Sequence, residues 1–522
     1  MYDLIIRDAL IYDGSGAAPF RGNVAVNGDK IAAVSREDLG TAATVVDAKG
    51  LCLAPGFIDT HSHADYAIFD DPHRLHVLRM GCTTEIGGQC GKTPSPLSPD
   101  QPEKVREFLS PNKNVFATFR EQIEATRNLP LGPNQIYFMG HGGVRGNAMG
   151  LQSRHATEEE LQRMERDVAQ GMEEGALGIS TGLSYVPGIY SNTEELTRLG
   201  AVAGKYGGIY TTHSRSESMG LFDSVAECIH IAREGKVPVN ISHFKCVGKV
   251  FWERCGKALS MIDEALEEGL DITLDAYPYV ATSTTTLSTI PPKFLDQGAE
   301  AFAKMLEDPA IVEQIRKEIF EINDPSWDNS MYYVGLENFL IVRAKYTPWA
   351  VGMTYAQVGE QMGIDPFYAV VDLLKKNHGS VTECRFSMCE ENVEQILKHP
   401  KCMVGSDGIY LITDTTCHPR ATGTFPRYLG HYVRDRGILS REEGIHRITG
   451  MPAKRYGLQG KGSIAAGMDA DLVLFDYDTI IDGGDFVDPF KPNKGIHQVY
   501  VGGKLTLQDN EPTGVWNGKY LR

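Results

Sequence analysis

The chain has 522 residues, of which 42% are hydrophobic and 23% charged, and its formal net charge is −17. This length exceeds what one compact core supports, so two or more structural units are expected. The acidic balance argues against a nucleic-acid-binding protein, and no apolar run approaches the roughly 20 residues that span a bilayer, so neither nucleic acid nor a membrane is an expected partner.

The two ends of the chain are predicted to be rich in β-strands. Apolar alternation of the β type runs through residues 4–47, where Asn-Gly and Asp-Gly pairs mark turns. The same apolar alternation with turn signals occurs again at residues 471–504. We therefore predict that residues 1–53 and 459–522 form one discontinuous β-sandwich domain.

The middle of the chain alternates predicted strands with predicted helices. Strands are expected at 56–61, 83–90, 135–139, 178–180, 208–213, 238–243, 271–278 and 401–407, and helices at 157–174, 193–205, 221–234 and 255–268. Such alternation implies parallel pairing, and about eight units suit a closed (β/α)8 TIM-like barrel with its active site at the C-terminal strand ends. We place this α/β barrel at residues 54–458. An inserted lid or subdomain is predicted at 284–350, where the alternation of strands and helices is interrupted.

Side chains suited to metal binding or proton transfer stand at the predicted C-terminal ends of these strands: His61, His63, Cys90, His213, His243 and Asp407. Strand alternation sends residues i and i+2 to one face, so His61 and His63 can point at the same ion. Imidazole and thiolate are common zinc ligands. Each residue alone has an ordinary explanation, such as a hydrogen-bonding histidine, a buried thiol or a turn aspartate. Their shared position favours a metal site.

Several motifs resemble the amidohydrolase superfamily and, within it, the N-acyl-D-amino-acid deacylases (D-aminoacylases). They are Pro55-Gly-Phe-Ile-Asp-Thr-His-Ser-His63, Gly88-Gln-Cys-Gly91, Ile241-Ser-His-Phe-Lys245, Ser406-Asp-Gly408 and His418-Pro-Arg420. The resemblance implies hydrolysis of the amide bond of N-acyl-D-amino acids to a carboxylate and a free D-amino acid. Hydantoinases and dihydroorotases usually carry a carboxylated lysine on the fourth strand, whereas this strand reads Leu177-Gly-Ile-Ser-Thr181. Cys90 would take over as the bridging or third ligand, as the resemblance implies.

The expected cofactor is Zn²⁺. Cys90, His213 and His243 would form one tight site with an open position for water, and His61 with His63 a second, weaker site. Zinc-bound water ionises near neutral pH, so a nucleophile is available for attack on an amide carbon. The candidate catalytic residue is Asp407, which by hypothesis takes the proton from the attacking water and passes it to the leaving amine.

The predicted partner is a small anionic substrate, an N-acyl amino acid. Lys245 lies two residues beyond His243, and Arg420 and Tyr279 match positions that grip the α-carboxylate in D-aminoacylases. His141 stands in a segment that resembles one near the family's pocket. Alternatives are a surface salt bridge for Arg420, a solvated cation for Lys245 and packing at the barrel rim for Tyr279.

Two other functions remain compatible with the same barrel. One is a cyclic amide or imide hydrolase, or a deaminase, which the missing fourth-strand lysine and the presence of Lys245 and Arg420 disfavour. The other is a non-catalytic scaffold, against which the retention of all candidate ligands and Asp407 argues. The preference for D-substrates rests on resemblance alone, and no feature of the sequence favours an oligomeric state. Ten scattered cysteines form no disulfide framework, so we predict reduced thiols and a cytoplasmic location.

Overall fold

The structure is a computed structural model, and it describes residues 1–109, 114–322, 324, 326–410 and 415–522. The strands, in chain order, are β1 (Tyr2–Ile11), β2 (Phe20–Asn27), β3 (Lys30–Ser35), β4 (Ala42–Asp47), β5 (Cys52–Pro55), β6 (Phe57–Asp59), β7 (Cys82–Gly87), β8 (Asn134–Tyr137), β9 (Met139–Gly140), β10 (Gly178–Gly182), β11 (Ile209–His213), β12 (Val239–Ile241), β13 (Ile272–Ala276), β14 (Ala281–Thr285), β15 (Phe339–Arg343), β16 (Thr382–Phe386), β17 (Cys402–Val404), β18 (Leu472–Phe475), β19 (Ile496–Val501), β20 (Lys504–Gln508) and β21 (Glu511–Pro512).

The α-helices, in chain order, are α1 (Ala64–Ala67), α2 (Leu75–Leu78), α3 (Glu103–Leu109), α4 (Phe119–Arg127), α5 (His141–Met149), α6 (Glu158–Glu174), α7 (Thr193–Lys205), α8 (Leu221–Gly235), α9 (Arg254–Glu267), α10 (Ala299–Met305), α11 (Pro309–Lys317), α12 (Ser330–Val334), α13 (Tyr355–Met362), α14 (Pro366–Lys376), α15 (Glu390–Lys398), α16 (Arg420–Arg427), α17 (Arg441–His446) and α18 (Gly450–Arg455).

A closed parallel barrel occupies the middle of the chain. Its strands follow one another in the order β6, β7, β8 with its continuation β9, β10, β11, β12, β13 and β17. The ring closes at a bridge between Ser62 and Gly408, where the Asp407 amide donates to the His61 carbonyl at 2.7 Å. The predicted α/β barrel is confirmed, and this closure brings the ends of the first and last strands together.

The two ends of the chain build one nine-stranded sheet. β5 pairs antiparallel with β18, so that Ala54 lies opposite Val473. Apolar side chains from both ends, among them Ile6, Leu53 and Leu472, share one hydrophobic cluster. The small β-sandwich from both chain ends is therefore present as predicted, while its boundaries at residues 53 and 459 stay a prediction.

Residues 519–521 complete the barrel on the side where its strands begin. The Gln135 amide donates to the Lys519 carbonyl and the Leu521 amide to the Gln135 carbonyl, both at 2.9 Å. The Tyr520 ring lies 5.3 Å from the Tyr137 ring. Because β10 pairs with β9 rather than with β8, this short segment covers the β8 edge that would otherwise be open.

Between β13 and β17 the chain leaves the barrel and forms an antiparallel sheet in the order β14-β16-β15, accompanied by helices α10 to α14. A separate hydrophobic cluster that includes Phe302, Phe339 and Phe367 packs this segment. β16 begins at Thr382, so the sheet continues beyond residue 350. An inserted domain with the bounds 284–350 stays a prediction.

The helices around the barrel begin where the sequence supplies caps. Thr157 and Glu160 form a reciprocal capping box at the start of α6. The Asn192 side chain accepts from the Glu195 amide at 2.9 Å at the start of α7. These capping residues stand where the helical repeat of apolar residues begins. The helices predicted at 157–174 and 193–205 match the structure to within one residue.

Among the helices of the described residues, none is both long and apolar enough to cross a membrane. All ten cysteines fall in the described part of the chain, and each is a free thiol.

Candidate functional site

Four of the predicted metal ligands converge on one point at the C-terminal mouth of the barrel. The Cys90 sulfur lies 3.4 Å from His61 Nε2, 3.4 Å from His243 Nε2 and 3.9 Å from His213 Nδ1. His213 Nδ1 and His243 Nε2 are 2.9 Å apart. The donor atoms of Cys90, His213 and His243 are therefore close enough to one another to share one ion.

His63 joins this group through Asp407. His63 Nε2 lies 3.1 Å from Asp407 Oδ1, and His61 Nε2 lies 3.6 Å from the same oxygen. Potential ligand atoms of His61, Cys90, His243 and Asp407 all lie within 4.8 Å of one another. The carboxylate therefore stands between the two predicted metal sites.

Three residues of the site have left-handed backbone conformations. The φ angles are 55° at Cys90, 35° at His243 and 47° at Asp407. Such conformations cost non-glycine residues about 1–3 kcal/mol each and persist where the surroundings enforce them. Here the His243 amide donates to Asp275 Oδ1 at 2.7 Å, and the Asp407 amide donates to His61. The backbone is thus held in the shape that points these three side chains at one another.

Two carboxylates lie behind the histidine rings. Asp275 Oδ1 is 3.2 Å from His61 Nδ1, and Glu217 Oε1 is 3.1 Å from His243 Nδ1. Metal-bound histidines usually donate their second ring N–H to such a carboxylate, which fixes the tautomer and the ring orientation. Each ring therefore has a carboxylate behind it at ion-pair distance, although His61 Nδ1 makes no hydrogen bond to the described residues.

The charges around the Cys90 sulfur favour its thiolate form. Burial raises the pKa of the Cys90 thiol, but His61 and His243 more than offset it and hold that pKa well below its usual value. Burial lowers the pKa of His63, whereas its hydrogen bond to Asp407 and the neighbouring Cys90 raise it to about 9. His63 is therefore protonated at neutral pH, and a divalent ion bound to its ring would replace a proton. A thiolate, imidazoles and a carboxylate are a donor set that fits zinc.

Close packing places the Cys90 loop directly over the fourth barrel strand. A Cβ atom at Gly182 would lie 2.1 Å from the Cys90 carbonyl oxygen, so only glycine fits there. The neighbouring Ser180 hydroxyl donates to the Gly88 carbonyl at 2.5 Å. The thiol loop therefore covers the strand on which the sequence lacks a lysine.

A cavity of about 810 Å³ opens above these ligands. Lys245, Tyr277 and Arg420 line it beside His63, Cys90, His213, His243 and Asp407. Lys245 Nζ lies 2.5 Å from Glu217 Oε1 and 2.7 Å from His243 Nδ1. Arg420 Nη1 lies 2.9 Å from Asp407 Oδ2, and its guanidinium sits 4.5 Å from the centre of the Tyr277 ring. This wall therefore carries two cationic side chains, each paired with a carboxylate of the site.

The structure places Tyr279 outside the residues that line the cavity, and its contact with substrate stays a prediction. Its hydroxyl lies 3.2 Å from Asp482 Oδ2 and donates to the Pro419 carbonyl at 3.3 Å. β13 ends at Ala276, and the Tyr279 amide donates to the Tyr277 carbonyl at 3.0 Å, so strand alternation no longer applies. Tyr277 lines the cavity instead.

His141 also lies outside the cavity lining, and its contact with substrate stays a prediction. It begins α5, is fully buried, and its Nε2 lies 2.8 Å from Glu195 Oε1. Arg145 pairs with the same carboxylate. His141 is therefore part of a buried network that joins α5 to α7.

Two acidic residues of the site were missed in the sequence. Glu217 follows His213 by four residues, beyond the strand end, where direction cannot be read from alternation. Asp328 comes from the inserted segment and accepts from Ser216 Oγ at 2.5 Å, the Glu217 amide at 2.7 Å and Ser218 Oγ at 2.5 Å. It thereby fixes the loop that carries Glu217, and no local pattern could reveal a contact across more than 100 residues.

A closed barrel with thiolate, imidazole and carboxylate groups gathered at its C-terminal mouth defines a metal-dependent hydrolase of the (β/α)8 class. The chain belongs to the amidohydrolase family, whose sequence profile matches residues 44–507. The predicted superfamily is thus confirmed.

Full-length relatives are similar in sequence and in structure. The D-aminoacylase of Alcaligenes xylosoxydans xylosoxydans is 34% identical over 522 residues, which is 100% of this chain and 97% of the relative. A solved D-aminoacylase, studied for the role of its binuclear metal centre, has a TM-score of 0.84 at 32% identity and covers 100% of both chains. The N-acyl-D-glutamate deacylase of Bordetella bronchiseptica, solved with zinc and a phosphonate mimic of the tetrahedral intermediate, has a TM-score of 0.85 at 30% identity. That comparison covers 100% of this chain and 99% of the other.

Proposed function

We propose that this chain is a zinc-dependent deacylase that hydrolyses the amide bond of N-acyl-D-amino acids and releases a carboxylate and a free D-amino acid. The observation that carries the proposal is the Cys90 sulfur, within 3.9 Å of three imidazole nitrogens beneath a cavity wall that carries Lys245 and Arg420. The preference for D-substrates follows from the relatives, which act on N-acyl-D-amino acids.

Cys90, His213 and His243 would hold the tight zinc ion, and His61 with His63 a second, weaker one. Zinc acts as a Lewis acid on an amide carbonyl and lowers the pKa of a coordinated water to near neutrality. Asp275 and Glu217 keep the rings in the required orientation through the contacts to His61 and His243.

Free thiols at all ten cysteines support the expectation of a cytoplasmic location.

Asp407 would move the proton. Its Oδ2 is held by Arg420 at 2.9 Å, which leaves Oδ1 facing the histidines. Burial raises its pKa, but Arg420 and His243 outweigh burial and hold the pKa well below the usual value. The carboxylate is therefore ionised at neutral pH and can accept a proton from the attacking water. Once protonated it is a strong acid, which suits delivery of that proton to the leaving nitrogen.

The α-carboxylate of the substrate would bind at the wall formed by Lys245, Tyr277 and Arg420. A guanidinium offers a fork of donors, and an ammonium adds a mobile charge. This wall anchors one end of the substrate and so orients the amide over the metal ligands.

Zinc-loaded protein assayed on paired N-acetyl-D- and N-acetyl-L-amino acids tests the proposal. Release of free amine from the D-members is expected, with a Cys90→Ala variant as the inactive control. Turnover of hydantoin or dihydroorotate in place of these linear amides would overturn it.

A further inference from the structure

A group of polar side chains is buried in the barrel interior beneath the metal ligands. Its members are fully buried and lie outside the lining of the cavity: Thr60, Gln89, Thr211, Asn240 and Asp275. Thr60 directly follows β6, Gln89 follows β7, and the other three lie in β11, β12 and β13. Buried polar groups cost free energy unless they find partners, so their hydrogen bonds show what holds them there.

Hydrogen bonds join these side chains in a row. The Gln89 amide nitrogen donates to the Thr60 carbonyl at 3.0 Å, and the Thr211 hydroxyl donates to the Gln89 amide oxygen at 3.3 Å. The Asn240 amide nitrogen donates to Thr211 Oγ1 at 3.3 Å and to Asp275 Oδ2 at 2.6 Å. Gln89 thereby spans the interior from the second strand of the barrel to the fifth.

Both ends of this row meet at His61. Asp275 Oδ1 lies 3.2 Å from His61 Nδ1 and also accepts from the His243 amide at 2.7 Å. At the other end of the row, Thr60 is the residue before His61. The five side chains therefore form a closed circuit with the first strand, which we call the polar ring.

The polar ring accounts for the backbone of Cys90, whose φ of 55° lies in the left-handed region. Gln89, the residue before it, is tied by its side chain to the first and fifth strands. Gly91, the residue after it, donates its amide to Ser180 Oγ at 3.2 Å. The thiol is thus held from both sides in a conformation that a non-glycine residue adopts only when its surroundings enforce it.

The donors and acceptors of the polar ring fit together in one order. Because the Asp275 oxygens accept, Asn240 turns its NH2 group toward Asp275 and Thr211. The Thr211 proton is then available to the Gln89 oxygen, which leaves the Gln89 NH2 group facing the Thr60 carbonyl. A side chain that lacks these groups would open the ring and leave its neighbours unsatisfied.

We infer that the polar ring is the template of the metal centre, and that Gln89 is the positioning residue that holds the Cys90 thiol beside the imidazoles before an ion binds. This inference rests on the zinc site of the proposed function. Gln89 lies outside the cavity lining and acts through the backbone that carries the thiol. A ligand already in place loses less conformational freedom when the ion binds, so the ring strengthens binding without contacting the ion.

Gln89→Met tests the inference in the full-length protein. Methionine is unbranched and similar in length to glutamine, but its thioether is only a weak acceptor, so the ring opens while the volume stays filled. Gln135→Met is the matched control, because Gln135 is equally buried and its amide donates to Glu85, outside the ring. In a chelator competition assay, Gln89→Met should weaken zinc binding roughly 10- to 100-fold, and Gln135→Met should leave it unchanged.

Cobalt loaded in place of zinc gives a readout that does not depend on activity. The thiolate-to-cobalt charge-transfer band reports the bond to Cys90, and the visible bands report the coordination geometry. We expect Gln89→Met to weaken the charge-transfer band and Gln135→Met to keep the wild-type spectrum. The Tm of the metal-free protein should fall in both variants, since each loses a buried hydrogen bond, so Tm alone reports only the structural loss.

Thr211→Val removes the next link and replaces Gln89→Met if that variant does not fold. If both residues act in one ring, the double variant should lose little more zinc affinity than the more affected single variant. Additive losses would show that the residues act separately and would overturn the inference. Wild-type zinc affinity and cobalt spectrum in either folded single variant would also overturn it and leave the zinc site intact. Wild-type protein that binds no zinc would instead refute the zinc site itself.

Discussion

The replacement of Asp407 by asparagine separates proton transfer from the architecture of the site. Asparagine has nearly the same shape, tolerates the φ of 47°, and its carbonyl can still accept from Arg420 at the position of Oδ2. Alanine, in contrast, would leave the Arg420 guanidinium, which is 1% exposed, buried without its ion-pair partner. Breaking a buried pair in this way costs about 3–5 kcal/mol. Asparagine also removes the negative charge, but it keeps a hydrogen bond to Arg420, so Asp407→Asn should be destabilised less than Asp407→Ala.

The catalytic effect of Asp407→Asn should be large, because an amide cannot accept the proton from the attacking water. Loss of a general acid–base contributes roughly 10²- to 10⁴-fold, so kcat should fall by that factor, or about 3–5 kcal/mol in activation free energy. The assay combines kcat on an N-acyl-D-amino acid, zinc per chain by mass spectrometry and the thermal midpoint. Near-wild-type kcat would remove Asp407 from the proposed role. Loss of the tight zinc together with activity would show that the carboxylate is chiefly a ligand.

Four further outcomes are expected. Arg420→Ala removes the cation that holds the pKa of Asp407 low, so that pKa should rise and the acid limb of the pH profile of kcat/KM should move to higher pH. The same substitution should lower the rate on a substrate with a free α-carboxylate more than the rate on the corresponding ester. Equal losses on the two substrates would contradict a carboxylate-binding role for Arg420. Tyr277→Phe should lower kcat/KM with little change in Tm. Tyr279→Phe should instead lower the free energy of unfolding by about 0.5–1.5 kcal/mol and leave kcat/KM unchanged. The reverse pattern would indicate that Tyr279, and not Tyr277, contacts substrate. Asp328→Ala removes the hydrogen bonds that hold the loop carrying Glu217, so it should weaken zinc binding roughly 10- to 100-fold in a chelator competition assay. An unchanged zinc affinity would show that the loop keeps its conformation without Asp328. Removal of zinc should abolish activity and lower Tm, and both should return when zinc is added; activity in metal-free protein would refute the metal-dependent mechanism.

The barrel was predictable because its signals are local. Short apolar runs bounded by polar residues marked each strand of the ring, and capped helices such as α7 lay between them. The ligands could be located for the same reason, since His61, Cys90, His213 and His243 stand at or just beyond strand ends. In a parallel barrel all these ends meet at one rim, so position in the sequence is enough to bring them together.

The remaining parts of the site depend on loops and on distant contacts. Alternation fails once a strand has ended, which is why Tyr277 lines the cavity and Tyr279 does not. Lys245 reaches His243, yet β12 has already ended at Ile241, so the expected neighbourhood arises from the loop rather than from a continuing strand. The role of Asp328 comes from an insertion folded back over the barrel, and nothing near it in the sequence indicates that contact.

The pairing of residues 519–521 with Gln135 has a consequence for the order of folding during synthesis. Ribosomes deliver a chain from its N-terminus, and β8 emerges long before the segment that covers its edge. Until then, the nascent barrel exposes unpaired backbone groups, which can mispair with other chains. Truncation after residue 518 should make that transient state permanent and direct the protein toward aggregates.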